Sequence, residues 1–197
     1  MKTYDLTNYL AYYYVCAERF IIKNNQQGLY KFISIIANKD PENGLKLSII
    51  YGIEDILKSL IELYPQYLYE NGYDLAIKAC ENGHSNIAMY ILKKEEEMAL
   101  SKGINTGNFD KNGNINKYVL EKLFLPVIKS KNYENIKEFI YYFPSQYNWV
   151  NFVDSYRYYF IQEDPTILYI VAKDLNLTDL IDGLKKFIIE NTFKRQY

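Results

Sequence analysis

Aliphatic residues recur along this chain with the period of a helix, and the recurrence restarts five times. Each restart follows a Gly or Asn: Asn25, Gly52, Gly83, Asn132 and Asn176 each stand four residues before one aliphatic and eight before another. The nearer set is Leu29, Ile56, Ile87, Ile136 and Leu180; the farther set is Ile33, Leu60, Ile91, Ile140 and Leu184. Positions four and eight apart share one face of an α-helix. Gly and Asn are the residues that end a helix in a left-handed turn, where most side chains clash with the backbone. The pattern predicts repeated helix-turn-helix units, the sequence signature of a solenoid.

Four units can be laid out residue by residue. Over 41–65, Leu45, Ile49 and Ile50 mark a short first helix and Gly52 the turn. Ile53, Ile56, Leu57, Leu60, Ile61 and Tyr64 mark the second helix, which Pro65 closes. Over 66–97, Leu75, Ala76, Ala79 and Cys80 precede Gly83, and Ile87, Ile91 and Leu92 follow it. The small Ala76 and Ala79 predict a close approach of two helices. Over 118–145, Leu120, Leu123, Val127 and Ile128 precede Asn132, and Ile136, Phe139, Ile140 and Phe143 follow, ending at Pro144. Over 164–190, Asp164-Pro165-Thr166 starts a helix through Ile167, Ile170 and Val171. Leu177, Leu180, Ile181, Leu184, Phe187 and Ile188 follow Asn176.

Residues 1–40 predict a degenerate capping unit, because terminal repeats must close the core. The intervals between turns are uneven, and the two long ones contain extra material. Residues 98–117 include a Gly/Asn-rich stretch that predicts an exposed, flexible loop. Residues 148–162, with Trp149, Phe152, Val153, Tyr156 and Phe160, predict one inserted helix. The whole chain, 1–197, reads as a single helical-repeat domain.

Residues 75–92, with Ala79-Cys80, Gly83-His84 and Ile87, resemble an ankyrin repeat, and 44–65, 119–144 and 164–188 resemble one more faintly. The resemblance implies an all-α, ankyrin-like helical-hairpin solenoid with about five degenerate units. The family's Thr-Pro-Leu-His helix start is absent, with Asp164-Pro165-Thr166-Ile167 its nearest echo. With it goes the signal for β-hairpin fingers between units. Another all-α arrangement of helical hairpins is the alternative. Ankyrin stacks meet partners through inter-unit loops and the exposed side of their first helices. Carried over, that nominates Tyr67, Tyr69, Tyr73, Lys78, Glu81 and Asn82 in the best-matching unit, and Lys46 and Tyr51 in the unit before. The implied function is a non-enzymatic protein–protein interaction module that binds and blocks or recruits a protein partner.

Composition narrows the partner class. The net charge is −1, and only Arg19, Arg157 and Arg195 are arginine. Nucleic-acid binders show a basic surplus and read bases with Arg, so nucleic acid is a poor fit. No apolar run approaches the ~18 residues of a membrane span. Asp5 and Glu18 flank the tyrosine-rich N-terminal stretch, where a secretory signal would be basic and then apolar. Two cysteines make no disulfide framework, which points to the cytoplasm. Heavy use of Lys, Asn, Ile and Tyr, with 22 tyrosines, suggests an AT-rich genome of the kind many viruses carry. On a viral origin the compartment is the host cytoplasm and the expected target a host factor. Two other classes stay open, a nucleic-acid-associated protein and a self-assembling, homo-oligomeric structural protein.

The candidate chemistry is thin, and no catalytic, cofactor-binding or metal residue is nominated. His84, the single histidine, sits where an imidazole bonds neighbouring backbone, and no ordered partner for catalysis accompanies it. Gly83 separates it from Cys80, which reads as a small buried hydrophobe. Asn108-Phe109-Asp110-Lys111-Asn112-Gly113-Asn114-Ile115-Asn116 resembles a calcium loop, but the closing carboxylate position is Val119. Lys93-Lys94-Glu95-Glu96-Glu97 reads as a solvated helix end, and Lys185, Lys186, Lys194 and Arg195 as a basic tail. The tyrosine clusters at 12–14, 67–73, 141–142 and 158–159 cannot all face a core, because neighbours on a helix diverge by about 100°. Exposed tyrosines favour binding surfaces.

Overall fold

The computed structural model describes residues 6–69 and 71–194, with side chains over 9–69 and 71–191. The chain is all-α. Its helices are α1 (Leu6–Ile22), α2 (Gln26–Lys39), α3 (Pro41–Ile50), α4 (Glu54–Leu63), α5 (Gln66–Tyr69), α6 (Gly72–Glu81) and α7 (Ser85–Leu100). After a long connection come α8 (Lys117–Lys129), α9 (Tyr133–Ile140), α10 (Trp149–Ser155), α11 (Arg157–Gln162), α12 (Thr166–Asp174) and α13 (Thr178–Lys194). No strand forms among the described residues, which carry one isolated antiparallel bridge between Phe109 and Ile115. No helix among them is long and apolar enough to cross a membrane.

The turns follow local sterics, with one correction. Gly52 (φ 70°), Gly83 (φ 85°) and Asn176 (φ 54°) are left-handed as the pattern requires. At the first and fourth turns the left-handed residue is instead Asn24 (φ 49°) or Lys131 (φ 54°), one position earlier. Asn25 and Asn132 serve as N-caps there, their side-chain oxygens accepting from the N–H of Gly28 at 2.8 Å and of Asn135 at 3.1 Å. Asn suits both jobs, so residue type alone does not separate them. Four turns close with a six-to-one backbone bond, Asn25 to Phe20, Ile53 to Ser48, His84 to Ala79 and Leu177 to Ala172, all 2.8–2.9 Å. At the Lys131 turn Ser130 Oγ donates instead to the Val127 carbonyl at 2.7 Å.

Neighbouring turns interlock. His84 Nε2 donates to the Ile50 carbonyl at 3.1 Å, a direction set by the carbonyl, which only accepts. Its ring lies over Gly52, where a Cβ would come within 2.5 Å of Cε1. Asn132 lies over Gly83 in the same manner. Ser85 N donates to Asn135 Oδ1 at 3.1 Å, Asn86 Nδ2 donates to Glu54 Oε2 at 3.2 Å, and Tyr133 donates to Asp174 at 2.6 Å.

Burial holds the His84 imidazole below its ordinary value, only partly offset by the bond to Ile50. A depressed folded-state value means stability that is full above the unfolded value near 6.5 and is lost as pH falls toward the folded one. The urea midpoint is therefore expected to drop between about pH 7.5 and pH 6 in the wild type and to stay flatter in His84→Gln. An imidazole proton signal titrating above 6.5 would contradict this.

Helices α3, α6 and α8 pack in succession, each first in its hairpin, while α2 meets α4 and α7 meets α9. The succession bends at the C-terminal end: α12 packs on α9, and α13 packs along α10. The predicted single inserted helix is two, α10 and α11, broken at Tyr156 (φ −105°, ψ 24°). The break brings the Tyr156 hydroxyl to Glu121 at 3.1 Å, beside the Tyr147 hydroxyl on the same carboxylate. Burial and this carboxylate push the Tyr156 phenol up to about 12. Above them Phe124, Phe139, Phe143, Trp149 and Phe152 form one aromatic core joining α8, α9 and α10.

The loop expected to be flexible is folded. α7 runs through the 93–97 charge run to Leu100, so that run lies inside the helix. Asn108 is buried and donates from Nδ2 to Glu95 at 3.0 Å, tying the loop to α7. Glu95 also lies against Gly72 at the start of α6, and burial pushes its carboxyl up. Asp110 accepts from the N–H groups of Asn112 (2.8 Å) and Asn114 (2.9 Å), so the calcium-like segment closes on itself. Among the described residues no group of three His, Cys, Asp or Glu could hold a metal ion.

Candidate functional site

Helices α3 and α6 lie side by side, with α1 and α5 closing the space between them. The result is an open groove of about 770 Å³. Each long wall is a helical face. Glu42, Leu45, Lys46 and Ile49 come from α3; Asn71, Asp74, Leu75 and Lys78 come from α6 and the residue before it. Both sets step by three or four residues, the spacing of one helix side. Leu45 and Ile49 are closed off behind the floor, whose accessible apolar surface comes from the half-buried Ile50 and Leu75. Leu10 of α1 and Gln66 and Tyr67 of α5 complete the lining.

Charge lies at the rim. Lys46 pairs with Glu42 at 2.6 Å on α3, and Lys78 pairs with Glu81 at 3.1 Å on α6. Asp74, exposed in the first turn of α6, has no ion-pair or hydrogen-bond partner among the described residues. A carboxylate is at ease there because the helix N-terminus carries partial positive charge.

Of the eight nominated residues, Lys46, Tyr67 and Lys78 line this groove. The other five are engaged within the chain. Tyr51 donates to Glu18 at 2.9 Å and stacks on Tyr14, and burial pushes its phenol up. Tyr69 is exposed beneath the Lys102 ammonium, 3.5 Å from the ring centroid. Tyr73 packs half-buried against the core, and burial raises its phenol too. Glu81 holds Lys78, and Asn82 Nδ2 donates to the Lys78 carbonyl at 2.8 Å, capping α6. Leu10, Gln66, Asn71, Asp74 and Leu75 were not nominated. The signal for three of these lining positions, Asn71, Asp74 and Leu75, was available in the helical spacing of 71–78.

The groups with latent reactivity lie elsewhere. Cys80 is fully buried, and burial pushes its thiol up, so it stays protonated. Lys185 and Lys186 meet Asp182 at 3.7 Å and Asp154 at 3.6 Å, while the Lys194 side chain, Arg195 and Asp5 lie outside the described residues. Adjacent tyrosines divide as helix geometry demands: Tyr158 is 85% exposed, whereas Tyr159 packs inward and donates to the Leu125 carbonyl at 2.6 Å.

Fold and site together define an all-α protein that carries an open groove with an apolar floor and a charged rim. No protein-family model, no curated protein and no solved structure matches the chain.

Proposed function

We propose that this chain is a non-enzymatic protein–protein interaction module, built as a degenerate ankyrin-like solenoid, that binds and blocks or recruits a protein partner. The groove between α3 and α6 carries the reading, because the first helices of two consecutive hairpins present it and ankyrin stacks use that face. The succession of α3, α6 and α8, with His84 and Asn132 each seated over the glycine of the turn before, supports the stacked arrangement. The bias toward Lys, Asn, Ile and Tyr, read as the mark of an AT-rich genome, is the ground for proposing a viral source and a host target.

The tagged protein, incubated in host lysate with and without nuclease, is expected to retain one stoichiometric protein. Tyr67→Ala combined with Leu75→Ala, which removes apolar lining from the groove, is expected to release it. Recovery of nuclease-sensitive material alone would favour a nucleic-acid-associated protein. Retention of the protein's own copies would favour self-assembly, a reading that the exposed Tyr12 (64%) and Ile22 (81%) of α1 also support.

A further inference from the structure

We infer that the groove receives an amphipathic helix whose apolar stripe is flanked by a Lys or Arg that pairs with Asp74. The inference rests on the interaction reading and gives the partner a chemistry.

The shape argues for a helix. Residues 42–49 and 71–78 give each wall a length of about 10 Å at 1.5 Å per residue, close to two helical turns. An extended peptide binds best by adding to an exposed sheet edge, and no strand exists among the described residues to offer one. A helix satisfies its own backbone and needs only an apolar floor for side chains at i, i+3, i+4 and i+7. The half-buried Ile50 and Leu75 supply that floor, with Leu10 and Tyr67 beside them.

The charge argues for a cation. Glu42 and Lys46 neutralise each other, and Lys78 is held by Glu81. Asp74 is left as a carboxylate without a counter-ion among the described residues. Gln66 and Asn71, which also line the groove, likewise have no side-chain hydrogen bond among the described residues. Covering the floor with an anionic or purely apolar ligand would strip water from Asp74 and leave it unpaired, whereas a Lys or Arg compensates it. An unpaired carboxylate thus selects against acidic partners and against phosphate backbones.

The test uses two helical peptides of about 15 residues with leucines at the i, i+3, i+4, i+7 spacing, one carrying flanking lysines and the other glutamates. Methyl NMR follows Leu10, Ile50 and Leu75. The lysine peptide is expected to shift these signals and the glutamate peptide to bind more weakly. Asp74→Asn should weaken the lysine peptide by roughly three- to fivefold, the size of an exposed ion pair. Asp74→Lys should reverse the preference. Asp74 is exposed, and the far-UV spectrum of each variant reports that the helices persist. Equal binding of both peptides in the groove overturns the cation assignment and leaves the interaction reading standing. Groove signals that move with protein concentration alone assign the site to a second copy and overturn the inference. Silence of those methyls with either peptide overturns the groove as a helix site, and the lysate experiment then decides the interaction reading separately.

Discussion

Phe124→Ala is expected to lower the unfolding free energy by about 3–5 kcal/mol, the loss typical of a buried aromatic truncated to alanine. Phe124 is fully buried at the centre of the aromatic core. Its ring lies 5.4 Å from Phe139, 5.2 Å from Phe143, 5.9 Å from Trp149 and 5.7 Å from Phe152. Those partners come from α9, its C-terminal turn and α10, so removing one ring loosens three segments at once. Close packing leaves little room for them to collapse into the space. Trp149, the chain's only tryptophan, sits in the cluster and reports on it directly. Urea unfolding followed by tryptophan fluorescence and by far-UV circular dichroism should give coincident curves in the wild type, both shifted in the variant. A loss below about 1 kcal/mol would mean that the cluster repacks freely. Separated curves would mean that α10 to α13 unfold apart from the rest.

Gly52→Ala is expected to cost about 2–3 kcal/mol, and to be the most costly of the chain's left-handed glycine substitutions. The backbone contributes about 1–2 kcal/mol, because a Cβ at φ 70° meets the following carbonyl. The new Cβ would also lie 2.5 Å from the His84 ring, which the bond to Ile50 holds in place. Moving the ring forfeits that bond, a further loss of about 1 kcal/mol. Gly83→Ala should cost less, because its Cβ meets only the Asn132 amide at 3.1 Å, a contact that a shift of a few tenths of an ångström relieves while the N-cap bond to Asn135 is kept. Gly113→Ala has nothing within 4 Å and should show the backbone loss alone. Thermal unfolding of the three variants tests the order. Equal shifts would show that the His84 contact over Gly52 contributes nothing.

The same turns show where sequence reading reaches its limit. Gly52, Gly83 and Asn176 could be placed to the residue, because left-handed sterics act on one residue and its immediate neighbours. Asn25 and Asn132 were placed one residue late, since an Asn serves as well at an N-cap, and only Asn24 and the Ser130-Lys131 pair decide which job it takes. His84 could be read as a turn residue, yet its partner, the Ile50 carbonyl, belongs to the preceding hairpin.

The groove follows the same division. Lys46, Tyr67 and Lys78 could be nominated because helical faces are periodic. Tyr51 and Tyr69, also nominated, were diverted by Glu18 and Lys102, which approach only after folding. By itself the sequence determined that the chain is all-α, where most helices begin and end, and which stripe of each is apolar. These properties arise from backbone sterics and hydrogen bonds within a turn or two. Tertiary structure alone decided that α12 packs on α9, that the inserted segment breaks at Tyr156 to reach Glu121, and that Asp74 has no counter-ion among the described residues beside an apolar floor. Each of these depends on side chains distant in sequence fitting together in volume and charge, which a periodic pattern along one helix does not record.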